Sequence, residues 1–209
     1  MATGEDAMVR AVAGGKSRRN FLKSGVWLAG STALAMTAPY SWAAAQTGLA
    51  ADGLNEVLKD VRLKHLLTMR LDVQPLQVIG AAPGGTRRIG VVPGGEFSGD
   101  RLSGAVLEGG NDWQQVRSDG STTLDVRLAL RTGDGAMISM SYRGMRHGPA
   151  DVIARLEKGE AVDPASYYFR IIPMFETAAP KYDWLNRIVA VGIGQRRADG
   201  VVYNVFEVL

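Results

Sequence analysis

The stretch that decides the fold is residues 122–131, TTLDVRLALR, because its side chains alternate between two kinds. Leu124, Val126, Leu128 and Leu130 are apolar, and the residues between them are polar, charged or small. Successive side chains of a β-strand point to opposite faces of the sheet. The pattern therefore predicts a strand with one face on a core and one polar face. If the sheet closes, the alternation does not say which face lines the lumen.

The same two-residue period begins after residue 62 and continues to the C-terminus. It predicts strands at residues 63–73, 76–79, 88–92, 101–107, 113–117, 122–131, 136–143, 167–177, 187–194 and 201–208. Asp-Gly pairs at 119–120, 134–135 and 199–200 separate neighbouring strands, and Asp-Gly supplies the positive φ angles of tight hairpins. Pro93-Gly94-Gly95 is a further turn signal. We therefore expect a mainly antiparallel all-β domain.

Two segments have helical spacing instead. Residues 149–158 predict one short excursion helix that ends at Gly159. A small apolar stripe over residues 54–61 predicts that residues 46–62 are a linker with a short helix. Eight or more short strands must protect their edges, either as a sandwich or as a closed barrel.

The N-terminal segment has the features of an export signal. Residues 17–23, SRRNFLK, resemble the twin-arginine consensus Ser-Arg-Arg-x-Phe-Leu-Lys at every fixed position. An uncharged apolar stretch and a cluster of alanines follow, in the order of a cleavable signal. We expect residues 1–45 to be a signal peptide cleaved after Ala45 or, as the second choice, after Ala43. An uncleaved membrane anchor and a basic amphipathic helix are the alternatives.

This signal predicts a periplasmic or secreted protein that meets the twin-arginine translocase during export. It also explains the net charge of +3, because residues 1–45 hold five of the 24 Lys and Arg but only two of the 21 Asp and Glu. Nineteen of each remain, so the folded part is neutral and no nucleic-acid partner is expected. We do not expect it to be embedded in a membrane, whereas a homo-oligomer is compatible with the sequence.

The composition argues against several classes of site. The chain has no Cys and two His, so neither a disulfide nor a metal site is expected. It has no Gly-x-Ser-x-Gly elbow and no Walker motif, and its Gly-rich segments lie between strands. We therefore predict that it uses no cofactor.

Several motifs together resemble the domain-of-unknown-function family 3237, also called uncharacterised protein family 0311. They are Arg88 with GGEFSG (94–99), LSGAVLEGGNDW (102–113), LDVR (124–127), TGDGAMI (132–138), RGMR (143–146), YFR (168–170), PMFET (173–177) and YDWLN (182–186). The resemblance implies a compact antiparallel β-barrel without an assigned reaction. The predicted fold is therefore a single closed or nearly closed barrel over residues 63–209, with one short excursion helix, preceded by the signal peptide.

Two carboxylates are the predicted catalytic residues. Asp125 shares a strand face with Arg127 and could be a general base beside an anion-binding Arg, or half of a solvated ion pair. Glu176 lies six residues after Arg170, so both share a face, together with Tyr168. That set could perform acid–base chemistry, or it could form a structural Arg–Glu pair.

The other candidates are predicted to bind substrate. Asp112 and Trp113 could meet a ligand at the barrel mouth, or be a turn cap and a core plug. Arg143 and Arg146 flank Gly144 and could together hold a carboxylate or phosphate, and His147 beside them could carry protons or lie in an exposed loop. Arg127, Arg170, Tyr168 and Asn186 complete the predicted binding set.

The sequence is compatible with two functions of different classes. The first is a cofactor-independent lyase or isomerase for a small oxygenated or aromatic molecule, with acids transferring protons and arginines holding negative charge. The second is a non-catalytic barrel that binds a small ligand in the periplasm.

Overall fold

The computed structural model describes residues 53–209, and the predicted signal peptide lies outside them. The strands are β1 (Leu63–Asp72), β2 (Gln77–Ala82), β3 (Gly85–Val92), β4 (Gly94–Ser98), β5 (Ser103–Val106), β6 (Gly110–Val116), β7 (Thr122–Thr132), β8 (Met137–His147), β9 (Tyr168–Glu176), β10 (Ala190–Arg196) and β11 (Gly200–Val208). The α-helix α1 (Ala150–Glu157) lies between β8 and β9. Short 3-10 helices span Glu56–Leu58, Pro164–Ser166 and Pro180–Arg187.

The sheet closes on itself. Eight strands form a ring in the order β7, β5, β4, β1, β11, β10, β9 and β8, and the pairing of β8 with β7 completes it. At the end of the ring near α1, β6 replaces β5 beside β7 and continues into β3 and β2. All pairings are antiparallel. The prediction of a closed antiparallel barrel with one short helix is confirmed.

The turn predicted at Pro93-Gly94-Gly95 is instead the start of β4, which runs on almost directly from β3. Gly95 has φ 156° and pairs with Leu71, and a Cβ there would lie 2.1 Å from the carbonyl oxygen of Arg70. The glycine therefore permits two strands to approach closely and does not reverse the chain.

The Asp-Gly prediction holds for two of the three pairs. Gly120 and Gly135 have φ of 81° and 88°, as tight hairpins require. Gly200 is the first residue of β11, and a Cβ there would lie 2.0 Å from the carbonyl oxygen of Leu71. Glycine is required at this position because it has no side chain, and not because the backbone has a positive φ.

The helix predicted before the barrel does not form within the described residues. Only a single 3-10 turn is present at Glu56–Leu58, and the stripe residues Val57, Leu58 and Val61 are exposed. Their apolar side chains pack against no other element, so a helix there gains no burial. The strand predicted at 187–194 likewise begins later, at Ala190, after the 3-10 helix Pro180–Arg187.

The lumen is filled by the apolar alternation. Leu124, Val126, Leu128 and Leu130 of β7 all point inward, so the charged side of residues 122–131 is the outer wall. One end is closed by Pro180–Arg187, which buries Leu185, and α1 covers the other end with Leu156. None of the helices within residues 53–209 is long and apolar enough to cross a membrane.

Candidate active site

The end of the lumen under α1 is polar and encloses a cavity of about 50 Å³. Its polar lining comes from four strands and α1: Arg88, Asp112, Gln114, Arg146, Arg196 and Glu157. Three guanidiniums thus share the cavity with two carboxylates. Buried charges are rare unless they are paired or functional, so this cluster is the candidate site.

Asp112 is the most deeply placed acid of the cluster. The alternation of β6 turns Asp112 and Gln114 inward, and Gln114 Nε2 donates a hydrogen bond to Asp112 Oδ2 at 2.6 Å. Asp112 Oδ1 is buried and has no hydrogen-bond partner within residues 53–209. Burial raises the pKa of Asp112 from 3.8 to about 6, although hydrogen bonds from Gln114 and from the backbone of Asp125, and the charges of Arg146 and Arg88, oppose the shift.

Arg146 is the buried cation opposite this acid. Only 6% of its side chain is exposed, and its NH2 donates to Glu157 Oε1 at 2.7 Å. Its Nε is buried and lacks a partner among the described residues. Burial lowers the pKa of Arg146, and the charge of Glu157 opposes that shift. A buried guanidinium with a free N–H is suited to bind negative charge on a ligand.

Arg88 joins the acidic and basic halves of the site. It faces Gln114 across the β3–β6 pair, and its Nε donates to Gln114 Oε1 at 2.8 Å. Its two terminal nitrogens bind Glu157 at 2.5 and 2.9 Å. Burial raises the pKa of Glu157, but hydrogen bonding and charge from Arg88 and the charge of Arg146 outweigh it and hold the pKa below 4.5.

Aromatic rings form the floor of the cavity. The Tyr203 ring packs edge-on against Tyr142 and against Phe169, each with centroids 5.4 Å apart. Burial raises the pKa of both tyrosines above 10, so their hydroxyl groups stay protonated near neutral pH. The floor therefore offers apolar ring surface and neutral hydroxyl groups to a ligand.

This arrangement can move a proton. A carboxylate with a pKa of about 6 exchanges protons efficiently near neutral pH, and adjacent guanidiniums can stabilise an oxyanion formed by that transfer. Within residues 53–209, no three His, Asp or Glu side chains are grouped so that they could hold a metal ion.

Of the predicted site residues, Asp112 and Arg146 lie in this cavity. Trp113 follows Asp112 in the strand and therefore points outward, where it is about half exposed and its Nε1 donates to Asn111 Oδ1. The prediction that Asp112 and Trp113 contact one ligand together is thus wrong. The alternative prediction, with Asp112 as a turn cap and Trp113 as a core plug, is also wrong. Adjacent strand residues face opposite sides of a sheet.

Asp125, Arg127 and Arg143 lie together on the outer wall, where Asp125 and Arg143 are paired across β7 and β8 and all three line a shallow groove. The expected cooperation of Arg143 with Arg146 is not possible, because residues three apart on a strand face opposite sides. A catalytic role for Asp125 would need a ligand outside the barrel, and it stays a prediction.

Glu176, Arg170 and Tyr168 do share one face of β9, as predicted, but that face is also the outer wall. Arg170 lies over the Tyr168 ring at 4.8 Å, and His147 stacks on the same ring at 4.9 Å. Glu176 is exposed near Asn186, whose side chain binds the backbone of Thr177. Their roles in catalysis and binding remain predictions.

The sequence reasoning missed Arg88, Gln114 and Glu157 as site residues. Gln114 carried a usable signal, because it lies two positions after Asp112 on the same strand and must share its face. Arg88 and Glu157 are 69 positions apart and meet only through the folded barrel.

Comparisons with known proteins agree with the fold. A family model described as "Protein of unknown function (DUF3237)" matches residues 61–208. A UPF0311 protein of Rhodopseudomonas palustris is 38% identical over 146 residues, which are 70% of this chain and 95% of that protein. A UPF0311 protein of Clostridium acetobutylicum is 35% identical over 152 residues, 72% of this chain and 96% of that protein.

Solved structures are similar over the same region. The crystal structure of a conserved protein of unknown function from Rhodopseudomonas palustris has a TM-score of 0.70 and 37% identity, covering 72% of this chain and 99% of its own. A β-barrel-like protein from Acinetobacter baumannii has a TM-score of 0.64 and 40% identity, covering 72% and 97%. A structure described as an enzyme from Penicillium herquei, with a TM-score of 0.54 and 19% identity, covers 71% and 95% and shares the fold alone.

Proposed function

This chain belongs to the DUF3237 family, whose activity is unassigned, and we propose that its barrel is a cofactor-independent lyase or isomerase for a small oxygenated or aromatic molecule. One observation carries the proposal. Asp112, with a free carboxylate oxygen and a pKa raised to about 6, lines the same cavity as Arg146, which has a free buried N–H. A base and an anion-binding group beside one cavity are the two parts that proton abstraction next to a carbonyl requires.

The roles follow from the chemistry of each group. Asp112 removes a proton from the carbon next to a carbonyl, and the electron pair of that C–H bond moves onto the carbonyl oxygen. Arg146 stabilises the resulting enolate. In a β,γ-unsaturated carbonyl compound, return of the proton to the γ-carbon of the conjugated enolate completes an isomerisation. In a substrate with a leaving group on the β-carbon, departure of that group with its bonding electrons completes an elimination. The rings of Phe169, Tyr142 and Tyr203 provide surface for the substrate skeleton.

Deuterium exchange tests this without knowledge of the substrate. The purified protein is incubated in D2O with a panel of small 2-oxo acids and aryl ketones, and loss of the C–H signal is followed by proton NMR. We expect exchange in at least one compound, and Asp112→Asn should slow it by about 10²- to 10⁴-fold. The exchange rate should rise with pH through about 6, because only ionised Asp112 accepts a proton.

Asp125→Asn and Glu176→Gln are the matched controls, since both replace carboxylates on the outer wall. Under this proposal they retain wild-type exchange. Exchange that disappears in Asp125→Asn but survives in Asp112→Asn would move the catalytic site to the outer groove and contradict the proposal.

A non-catalytic ligand-binding barrel is the second candidate. It is favoured by Arg146, whose buried Nε has no partner among residues 53–209 and can hold a ligand anion without any proton transfer. A binder would retain ligand affinity in Asp112→Asn within a small factor and would show no exchange with any compound of the panel.

We also propose export by the twin-arginine route to the periplasm or beyond. The support is residues 17–23, together with the start of the family match at residue 61. Arg18→Lys with Arg19→Lys should retain the protein in the cytoplasm, whereas Arg10→Lys should leave export unchanged. Fractionation and mass spectrometry of the N-terminus measure both location and cleavage. Equal periplasmic amounts in the two variants would refute the route.

A further inference from the structure

Glu157 places a carboxylate on Arg146, which the proposed function assigns to the ligand, and on the neighbouring Arg88. Arg88 binds it with both terminal nitrogens, at 2.5 and 2.9 Å, and Arg146 binds Oε1 at 2.7 Å. This forked contact matches the planar shape of a carboxylate. The position is therefore already shaped for that chemical group.

The burial of the three partners differs. The side chains of Arg88 and Arg146 are 11% and 6% exposed, whereas that of Glu157 is 36% exposed. The guanidiniums belong to strands of the sheet, β8 in the closed ring and β3 in its extension, and Glu157 is the last residue of α1. The anion thus enters the site from the solvent side, on an element that can be displaced without opening the sheet.

Few side chains hold α1 on the barrel. Leu156 is its one buried residue, while Val152 and Ile153 are partly buried against the core. Pro149 caps the helix without a side-chain hydrogen bond. An element with little buried apolar area opens at a smaller free-energy cost than the strands beneath it.

The closed arrangement leaves the site incomplete. Its cavity of about 50 Å³ holds a few water molecules at most, and neither Asp112 Oδ1 nor Arg146 Nε beside it has a hydrogen-bond partner in the part of the chain that the structure describes. Unpartnered buried polar atoms are costly, so a ligand that reached both would bind favourably. Such a ligand needs the space that Leu156 and Glu157 now occupy.

We infer that the ligand is a small carboxylate whose carboxylate group replaces that of Glu157 on Arg88 and Arg146, and that α1 is the lid that lifts to admit it. Glu157 is then a built-in competitor for the site. The inference rests on the proposed function only in taking this cavity as the ligand site. It adds the chemical class of the ligand and the route by which the ligand enters the cavity.

Calorimetry with simple probes tests the inference. Benzoate is titrated into the wild-type protein, Glu157→Gln and Glu160→Gln at pH 7.5, with benzamide as the uncharged probe and phenylphosphate as the dianion. Glu157→Gln removes the competing charge and should bind benzoate at least about 10-fold more tightly than wild type. Glu160 pairs with Arg155 outside the site, so Glu160→Gln should bind like wild type.

Several results would overturn the inference. These are equal or weaker benzoate binding by Glu157→Gln, an equal gain for benzamide, or tighter binding of phenylphosphate than of benzoate. If Glu157→Gln fails to fold, hydrogen exchange of the wild-type protein decides. Saturating benzoate should accelerate amide exchange in α1, and unchanged exchange there refutes the lid.

The two proposals can fail separately. If Glu157→Gln binds benzoate tightly while Asp112→Asn retains deuterium exchange, the proposed reaction is wrong and the anion site stands. If Asp112→Asn abolishes exchange while Glu157→Gln gains no affinity, the reaction stands and the carboxylate inference is wrong.

Discussion

The two ends of the barrel lumen share one backbone design and differ in what fills it. At the end under the 3-10 helix Pro180–Arg187, the inward side chains are Leu130, Ile138 and Phe175, which are almost completely buried. At the end under α1, equivalent inward positions hold Asp112 and Arg146, each with an unpartnered atom. We therefore expect the apolar end to contribute more to stability, whereas the polar end holds the site that we propose.

The largest expected effect is in the apolar end. Leu130→Ala should lower the free energy of unfolding by about 2–5 kcal/mol, because a fully buried side chain is replaced by a cavity. Urea denaturation measures the change. Arg131→Ala on the outer side of the same strand is the control and should change it by less than about 0.5 kcal/mol. If Leu130→Ala and Arg131→Ala lowered the free energy of unfolding by similar amounts, packing at the apolar end would not be a main source of stability.

At the polar end, replacing a buried side chain should raise the free energy of unfolding near neutral pH instead of lowering it. Asp112 has a pKa of about 6 in the folded protein against 3.8 ordinarily, so the folded state binds its proton more tightly. The wild type therefore loses stability relative to Asp112→Asn as the pH rises from about 4 to 6. Above that range, the variant should be more stable by up to about 3 kcal/mol. Denaturation at pH 3.5 and 7.5 measures this.

The outer carboxylate provides the comparison for this test. Asp125→Asn should show no such gain at pH 7.5, because Asp125 lies on the outer wall. A variant Asp112→Asn that is less stable than wild type at pH 7.5 would contradict the idea that this end is built at the expense of stability.

A smaller effect is expected at the rim of the apolar end. The hydroxyl of buried Tyr182 donates to the carboxylate of Asp134 at 3.0 Å, so Tyr182→Phe should lower the free energy of unfolding by about 1 kcal/mol at pH 7. Hydrogen bonds from Lys181 and Thr132, and from Tyr182, hold the pKa of Asp134 well below 3.8. The destabilisation caused by Tyr182→Phe should therefore become smaller only in strongly acidic solution, where Asp134 is protonated. A destabilisation that changes between pH 5 and 7 would mean that Tyr182 interacts with a different titrating group.

The smallest effect should come from the surface of the same 3-10 helix. Asp183 and Arg187 form an exposed ion pair one turn apart, at 3.1 Å. Asp183→Asn should change the free energy of unfolding by less than about 0.5 kcal/mol, because solvent and salt screen such pairs. A loss comparable to that of Leu130→Ala would show that the closed end depends on its charges more than on its packing.

Much of the fold was readable from local patterns. The alternation in residues 122–131 predicted β7 almost to its limits, and Gly159 marked the end of α1. All three Asp-Gly pairs separate neighbouring antiparallel strands as predicted, and two of them have the expected positive φ. The errors fell where distant contacts decide the conformation. Gly95 lies against the backbone of Arg70, and Val57 is exposed and is not packed on the core formed by residues 53–209.

The site was less readable, for a geometric reason. Alternation separates the residues of a strand into two faces but does not say which face is the inner one. Asp125 and Glu176 share faces with arginines as expected, yet those faces are the outer wall. The single buried acid with an unpartnered oxygen, among residues 53–209, is Asp112, which the sequence predicted to bind substrate or to cap a turn and not to be the base.

The sequence by itself determined the period of each strand, the partition of side chains into two faces, the family resemblance and the predicted export signal, because all of these depend on neighbours in the chain. Only the tertiary structure decided that Arg88, Asp112, Arg146 and Glu157 meet at one end of the lumen. Closure of the sheet brings Arg88 into contact with Glu157, 69 positions away, and no local pattern encodes the curvature and register that achieve it.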